Sequence, residues 1–159
     1  MFAASRTRAF SLIELVIVIV IIGIIGAIAI PRMSRGAQGA ADGALTANLA
    51  RLRNAIDLFQ AEHAGTYPDL VTTPNQLLQF TDDTGAVSAT KTGNYIYGPY
   101  LRTIPALPIG AKKGSSGIAA ATGAGVGWIY DATNGTIKAN TTDTSPVEAD
   151  AKGTLYSAY

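Results

Sequence analysis

The chain has 159 residues, a formal net charge of +1, one histidine and no cysteine. That length supports one small domain beside a helical extension, and the cysteine count excludes a disulfide framework. The near-neutral charge, without a basic stripe, gives no footprint for a nucleic-acid partner.

Hydrophobic residues make up 48% of the chain, and they concentrate early: the run from Phe10 to Ile30 carries a single charge, Glu14, and ends at Pro31. At about 1.5 Å per residue this run gives about 31 Å of helix, close to the thickness of a bilayer's hydrocarbon core, so a transmembrane helix is expected. Arg6 and Arg8 precede it, and the positive-inside tendency then keeps the first residues in the cytoplasm and sends the rest across. A carboxylate inside hydrocarbon costs several kcal/mol unless it is neutralised, so Glu14 requires a partner. A secretory signal is the competing explanation, with Ala27-Ile28-Ala29 as its small-x-small cleavage site. The run is longer than the roughly 7–15 residues of such signals, and it has a charge near its start. Gly23 and Ala27 lie four apart, with Gly26 and Ala29 adjacent, a pattern that lets helix backbones approach closely.

The segment RAFSLIELVIVIVIIGIIGAIAIP, from Arg8 to Pro31, resembles the class III signal of the type IV prepilin family and is closest to the major pseudopilin of type II secretion systems. The resemblance implies that a prepilin peptidase cuts between Ala9 and Phe10 and methylates the new terminus, leaving N-methylphenylalanine at Phe10. It implies assembly roles for Phe10, Glu14 and Pro31: the freed amine of Phe10 meets Glu14 of a neighbouring subunit, and Pro31 bends the helix. Before assembly Glu14 is instead protonated, paired with its own amine, or drawn to the interface. One departure is Ala9, where the family usually has Gly. The expected organisation is a cleaved leader at 1–9, a transmembrane and filament-core helix at 10–30, an amphipathic second half of that helix at 31–65, and a small α/β head at 66–159.

Past Pro31, Gly36, Gly39 and Gly43 each lower helix stability by about 1 kcal/mol relative to Ala, so melting of this stretch inside a filament is a conjecture and helix is the default. Leu45, Leu49, Leu52, Ile56 and Phe59 then recur at spacings of 4, 3, 4 and 3. Polar residues fill most positions between them, which predicts an amphipathic helix that packs on a small sheet and ends near His63 to Gly65. His63, at that end, is expected to be a cap or surface residue.

In the head, Thr73-Pro74 opens a short capped helix, and residues 81–93 are polar and loop-like. Pro99, Pro105 and Pro108 break residues 95–108 into extended turns pinned by aromatic packing. Residues 112–127 are rich in Gly, Ala and Ser; the GAGVG at 123–127 lacks the lysine and the strand-loop-helix setting of a nucleotide loop, so a flexible connection is expected. Thr133-Asn134-Gly135 joins two strands rich in aromatic and β-branched residues, the best hairpin in the chain. The predicted fold class is α+β: a type IV pilin-like fold whose long N-terminal helix packs on a small antiparallel β-sheet.

No nucleophile–base pair or metal cluster stands out, so no enzyme is expected. The resemblance implies calcium as a candidate cofactor in the C-terminal loop, where Asp143, Glu148 and Asp150 lie. Their spacing is not that of an EF-hand, so the metal ligands stay unassigned and solvated loop acids are the alternative. The expected function is a structural subunit of a type II secretion pseudopilus, a periplasmic filament that supports protein export, with the precursor in the inner membrane and its head in the periplasm. Its expected partners are further copies of the chain, minor pseudopilins, the prepilin peptidase and methyltransferase, an inner-membrane assembly platform and the membrane; nucleic acid is not expected. The alternatives are a type IV pilin of a surface filament for adhesion, motility or DNA uptake, and a secreted binding module released after Ala29.

Overall fold

The computed structural model describes residues 10–141, 148–150 and 152–159, with the side chains of residues 29–35 outside that description. One helix, α1 (Leu12–Glu62), dominates it. By contacts the chain divides into two compact units, Met1–Ala37 and Gln38–Tyr159. The helix runs through the glycines at 36, 39 and 43 without interruption, and a Cβ added at any of the three would touch nothing within 4 Å. At those glycines the helix is sustained by backbone hydrogen bonds rather than by packing.

The expected transmembrane helix is not found. Among the described residues no helix is long and apolar enough to cross a membrane. Residues 12–28, the apolar stretch whose side chains are described, rise about 26 Å at roughly 1.5 Å per residue, short of the roughly 30 Å hydrocarbon core, and carry the Glu14 carboxylate. This overturns the membrane-spanning assignment of residues 10–30, together with the inner-membrane location and periplasmic head that rested on it.

In the second unit α1 supplies one wall of the core. Leu45, Leu49, Leu52, Ile56 and Phe59 are all buried, as their spacing predicts, and Ala55 joins them. They belong to one cluster with Leu70, Leu77, Leu101, Leu107, Trp128, Tyr130 and Ile137. The helix stops because the next residues turn left-handed: Ala64 has φ 53° and Gly65 φ 83°, and the Gly65 amide reaches back to the Gln60 carbonyl at 2.9 Å. His63 is neither a cap nor a surface residue. It is 4% exposed, its ring stacks on Phe59 at 3.8 Å, and its Nδ1 lies 2.8 Å from the Phe59 carbonyl.

Strands β1 (Phe80–Thr81) and β2 (Val87–Ser88) form a small antiparallel hairpin, within the stretch expected to be loop. The Asp82 carboxylate organises its turn by accepting the amides of Thr84 and Ala86. Before it, Pro74–Leu77 is a short 3-10 helix, and Thr73 gives it no side-chain cap.

The main sheet has the order β3 (Gly117–Ala119), β4 (Val126–Asp131), β5 (Thr136–Ala139). The β4–β5 hairpin is antiparallel and turns at Asn134-Gly135, with Trp128 opposite Ala139 and Tyr130 opposite Ile137. Trp128, Tyr130, Ile137 and Ala139 alternate inward to the core, while Asp131, Thr136 and Lys138 face out. The sheet is mixed rather than purely antiparallel, because β3 runs parallel to β4. Parallel neighbours ordinarily need a long crossover, but β3 is only 3 residues, so residues 120–125 suffice to bring the chain back. Gly127 allows the close approach: a Cβ there would lie 2.1 Å from the Ser115 carbonyl oxygen. The buried polar atoms of the two aromatic residues of β4 are satisfied, Trp128 Nε1 donating to the Pro105 carbonyl at 2.7 Å and the Tyr130 hydroxyl to the Pro68 carbonyl at 2.9 Å.

The two faces of α1 predict opposite responses to truncation. Leu52→Ala, at a position with no exposure, is expected to cost about 2–5 kcal/mol in urea unfolding. Leu58→Ala, at a side chain 50% exposed, is expected to change stability by no more than about 0.5 kcal/mol. Equal costs would contradict this placement of the core.

Candidate functional site

The site begins where α1 begins. Ser11 precedes the first helical residue and Glu14 sits in the first turn, the Ser-x-x-Glu spacing of a capping box. The geometry follows that spacing: the Ser11 amide donates to Glu14 Oε2 at 2.9 Å. A carboxylate in the first turn also meets the positive end of the helix dipole. Glu14 therefore has a partner within its own chain, a role that its Ser-x-x-Glu spacing carries. One hydrogen bond uses part of the acceptor capacity of a carboxylate, and the residue remains exposed.

Around it the helix surface is apolar on every side. Phe10 is 82% exposed, and Leu12, Ile13, Leu15, Ile17, Ile19, Ile22, Ile24, Ile25 and Ile28 are each more than half exposed. An apolar surface this continuous marks an interaction face, since isolated soluble proteins rarely present one. Gly23 and Ala27 are exposed one turn apart, with Gly26 half-buried beside them, and a Cβ at either glycine would meet nothing within 4 Å. The structure thus places Phe10, Glu14, Gly23, Gly26 and Ala27 along one helix end with room for a second backbone. Ala9 lies outside the described residues, as does the side chain of Pro31; α1 continues through position 31 without ending there.

The C-terminal acids form a second, separate constellation. Residues 149 and 155 pair in an antiparallel bridge, and the Asp150 amide donates to the Thr154 carbonyl at 2.9 Å. Asp150 Oδ1 accepts the amides of Lys152 and Thr154, each at 2.8 Å, while Oδ2 accepts the Tyr159 hydroxyl. The Tyr159 hydrogen bond, first, and those amides hold the Asp150 carboxyl below its ordinary range, and the same bond pushes the Tyr159 hydroxyl up to about 12. Glu148 lies against Gly110 and accepts the Ala111 amide. Asp143 lies outside the described residues.

A calcium ion takes six to eight oxygen ligands, and the carboxylates described here are turned toward N–H and O–H donors instead. Among the described residues no group of three His, Cys, Asp or Glu side chains could hold a metal ion. The described acids do not fit calcium. Sequence reasoning singled out Glu148 and Asp150 for their charge and missed Tyr156 and Tyr159, whose placement depends on partners distant in sequence.

The comparisons with known proteins bear on the first constellation. Residues 4–30 match the family model of the prokaryotic N-terminal methylation motif. No curated protein matches the chain, and no solved structure does. At the start of a long helix packed on a small sheet, the motif is consistent with a type IV pilin-like architecture.

Proposed function

We propose that the chain is a non-enzymatic structural subunit of a type II secretion pseudopilus, trimmed before Phe10 by a prepilin peptidase, methylated there, and assembled with further copies into a helical filament that supports protein export. The observation that carries this is the coincidence of the methylation motif at 4–30 with an α1 surface that stays apolar and uncovered from Phe10 to Ile28. Filament assembly gives that surface a use, because neighbouring helices bury it. Gly23, Gly26 and Ala27 would admit the neighbours.

Glu14 sets the register in this scheme. Cutting before Phe10 frees an amine one residue from the Ser11 amide that Glu14 already accepts. Within a bundle of apolar helices the carboxylate of one subunit and the terminal amine of the next each make the other tolerable, and one axial offset satisfies both. The absence of cysteine favours the pseudopilin over a surface pilin, because many type IV pilins close their C-terminal loop with a disulfide.

Processing is checked by mass spectrometry of the mature protein from its own cells. The expected product begins at Phe10, lacks residues 1–9 and carries one added methyl group. A product beginning after Ala29 would make the chain a released binding module, and surface filaments on intact cells would make it a pilin.

The charge on Glu14 is separable from its capping role. Glu14→Gln keeps an acceptor for the Ser11 amide and removes the charge, whereas Glu14→Ala removes both. Incorporation into filaments, measured against co-expressed wild-type chain, is expected to fall by more than about tenfold for both variants, since an uncompensated buried partner costs several kcal/mol. Wild-type incorporation of Glu14→Gln beside failure of Glu14→Ala would reduce Glu14 to a helix cap.

A further inference from the structure

We propose that the C-terminal segment of the head is a clasp fastened by tyrosine hydroxyls, an arginine and backbone amides, and that it closes without calcium. The clasp joins three parts of the head that are far apart in sequence. Tyr156, 5% exposed, donates its hydroxyl to Asp42 Oδ1 on α1 at 2.6 Å. Arg53, three turns further along the same helix, donates through Nη2 to the carbonyls of Ile137 in β5 and of Tyr159. Glu148 accepts the Ala111 amide, and its carboxylate lies where a Cβ on Gly110 would stand.

Within the clasp Asp150 accepts the amides of Lys152 and Thr154 on one oxygen and the Tyr159 hydroxyl on the other. A calcium ion entering here would have to displace those donors, whose hydrogens point at the oxygens it needs. The rings of Tyr156 and Tyr159 lie 6.2 Å apart, so the two hydroxyl–carboxylate bonds are held by one aromatic pair. The donors that satisfy Asp42 and Asp150 are thus built into the fold, and charge neutralisation by a metal is not needed to seat the segment.

The test uses the full-length chain and follows Trp128, its single tryptophan and fully buried, as the fluorescence probe of thermal unfolding. In roughly 10 mM calcium, above the dissociation constants of weak extracellular calcium modules, the wild-type midpoint is expected to equal that in chelator. A cation site filled at about one hundred times its Kd would instead raise the midpoint by roughly 10 °C, and such a rise would overturn the proposal. Tyr156→Phe is expected to lower the midpoint by roughly 5 °C with or without calcium. Should that variant fail to fold, Tyr159→Phe serves in its place, read by hydrogen exchange: the Lys152 and Thr154 amides are expected to lose protection while the core keeps its own. Unchanged protection in Tyr159→Phe, or an unchanged midpoint in Tyr156→Phe, would also overturn the clasp.

Discussion

The head depends on a helix that begins well before it. Leu45, Leu49, Leu52, Ile56 and Phe59 supply one wall of the core, and the sheet opposite them is small: three short strands, one of only 3 residues. A sheet of that size cannot bury Trp128, Tyr130 and Ile137 by itself, since few-stranded sheets need a helix against their apolar face. The helical conformation of 45–59 is therefore fixed by the head. The glycines at 36, 39 and 43 add nothing to that constraint: they touch nothing and each lowers helix stability by about 1 kcal/mol, while Ala41 and Asp42 between them still reach the core and Tyr156. Tertiary burial thus holds the helix most strongly from Leu45 to Phe59, and at the glycines before it the helix is held by its own backbone bonds.

In the first turn a carboxylate in an apolar run finds its partner within its own chain. In the single chain Glu14 accepts the Ser11 amide and sits at the positive end of the helix dipole, so its charge is tolerated without any partner molecule. That arrangement leaves acceptor capacity facing outward, on a helix end whose other side chains are apolar. In the proposed filament a cap of this kind would orient the carboxylate before its partner arrives and so lower the ordering cost of the pairing.

What was legible in the sequence divides by the range of the interaction that determines it. The leucine stripe of α1 could be read because a 3.6-residue period is local, and the β4–β5 hairpin because Asn134-Gly135 suits a tight turn. Strand β3 could not be read: Gly117, Ile118 and Ala119 form a strand only because β4 lies beside them and Gly127 lets the backbones close. The same holds for β1 and β2, whose two-residue length leaves no period to detect. His63 looked like a surface cap because it is a lone histidine at a helix end, whereas its burial comes from the Phe59 ring one turn earlier and the Tyr97 ring across the fold. The Ser11-x-x-Glu14 spacing was fully present in the sequence, yet charge in an apolar run points the eye toward a distant partner before a local one. The membrane-spanning expectation went wrong by a related route: composition over Phe10–Ile30 suggested a length that no described helix supplies as an apolar span.

A head without cysteine must fix its C-terminal segment by other means, and the numbers show that it can. A disulfide contributes about 2–4 kcal/mol, mainly by restricting the unfolded chain. A hydrogen bond to a charged acceptor contributes about 1.5–3 kcal/mol, and the one from Tyr156 to Asp42 is formed by a buried ring that adds apolar burial to it. Arg53 adds a second attachment on the same helix, on a side chain whose guanidinium presents several donors in a fixed fork. Neither attachment constrains the unfolded chain as a disulfide would, so the segment should open by local unfolding more readily than a cross-linked loop, while α1 and the β4–β5 hairpin stay folded. Stability of the clasp is then tied to α1 itself, since Asp42 and Arg53 are held at their spacing only while that helix is intact.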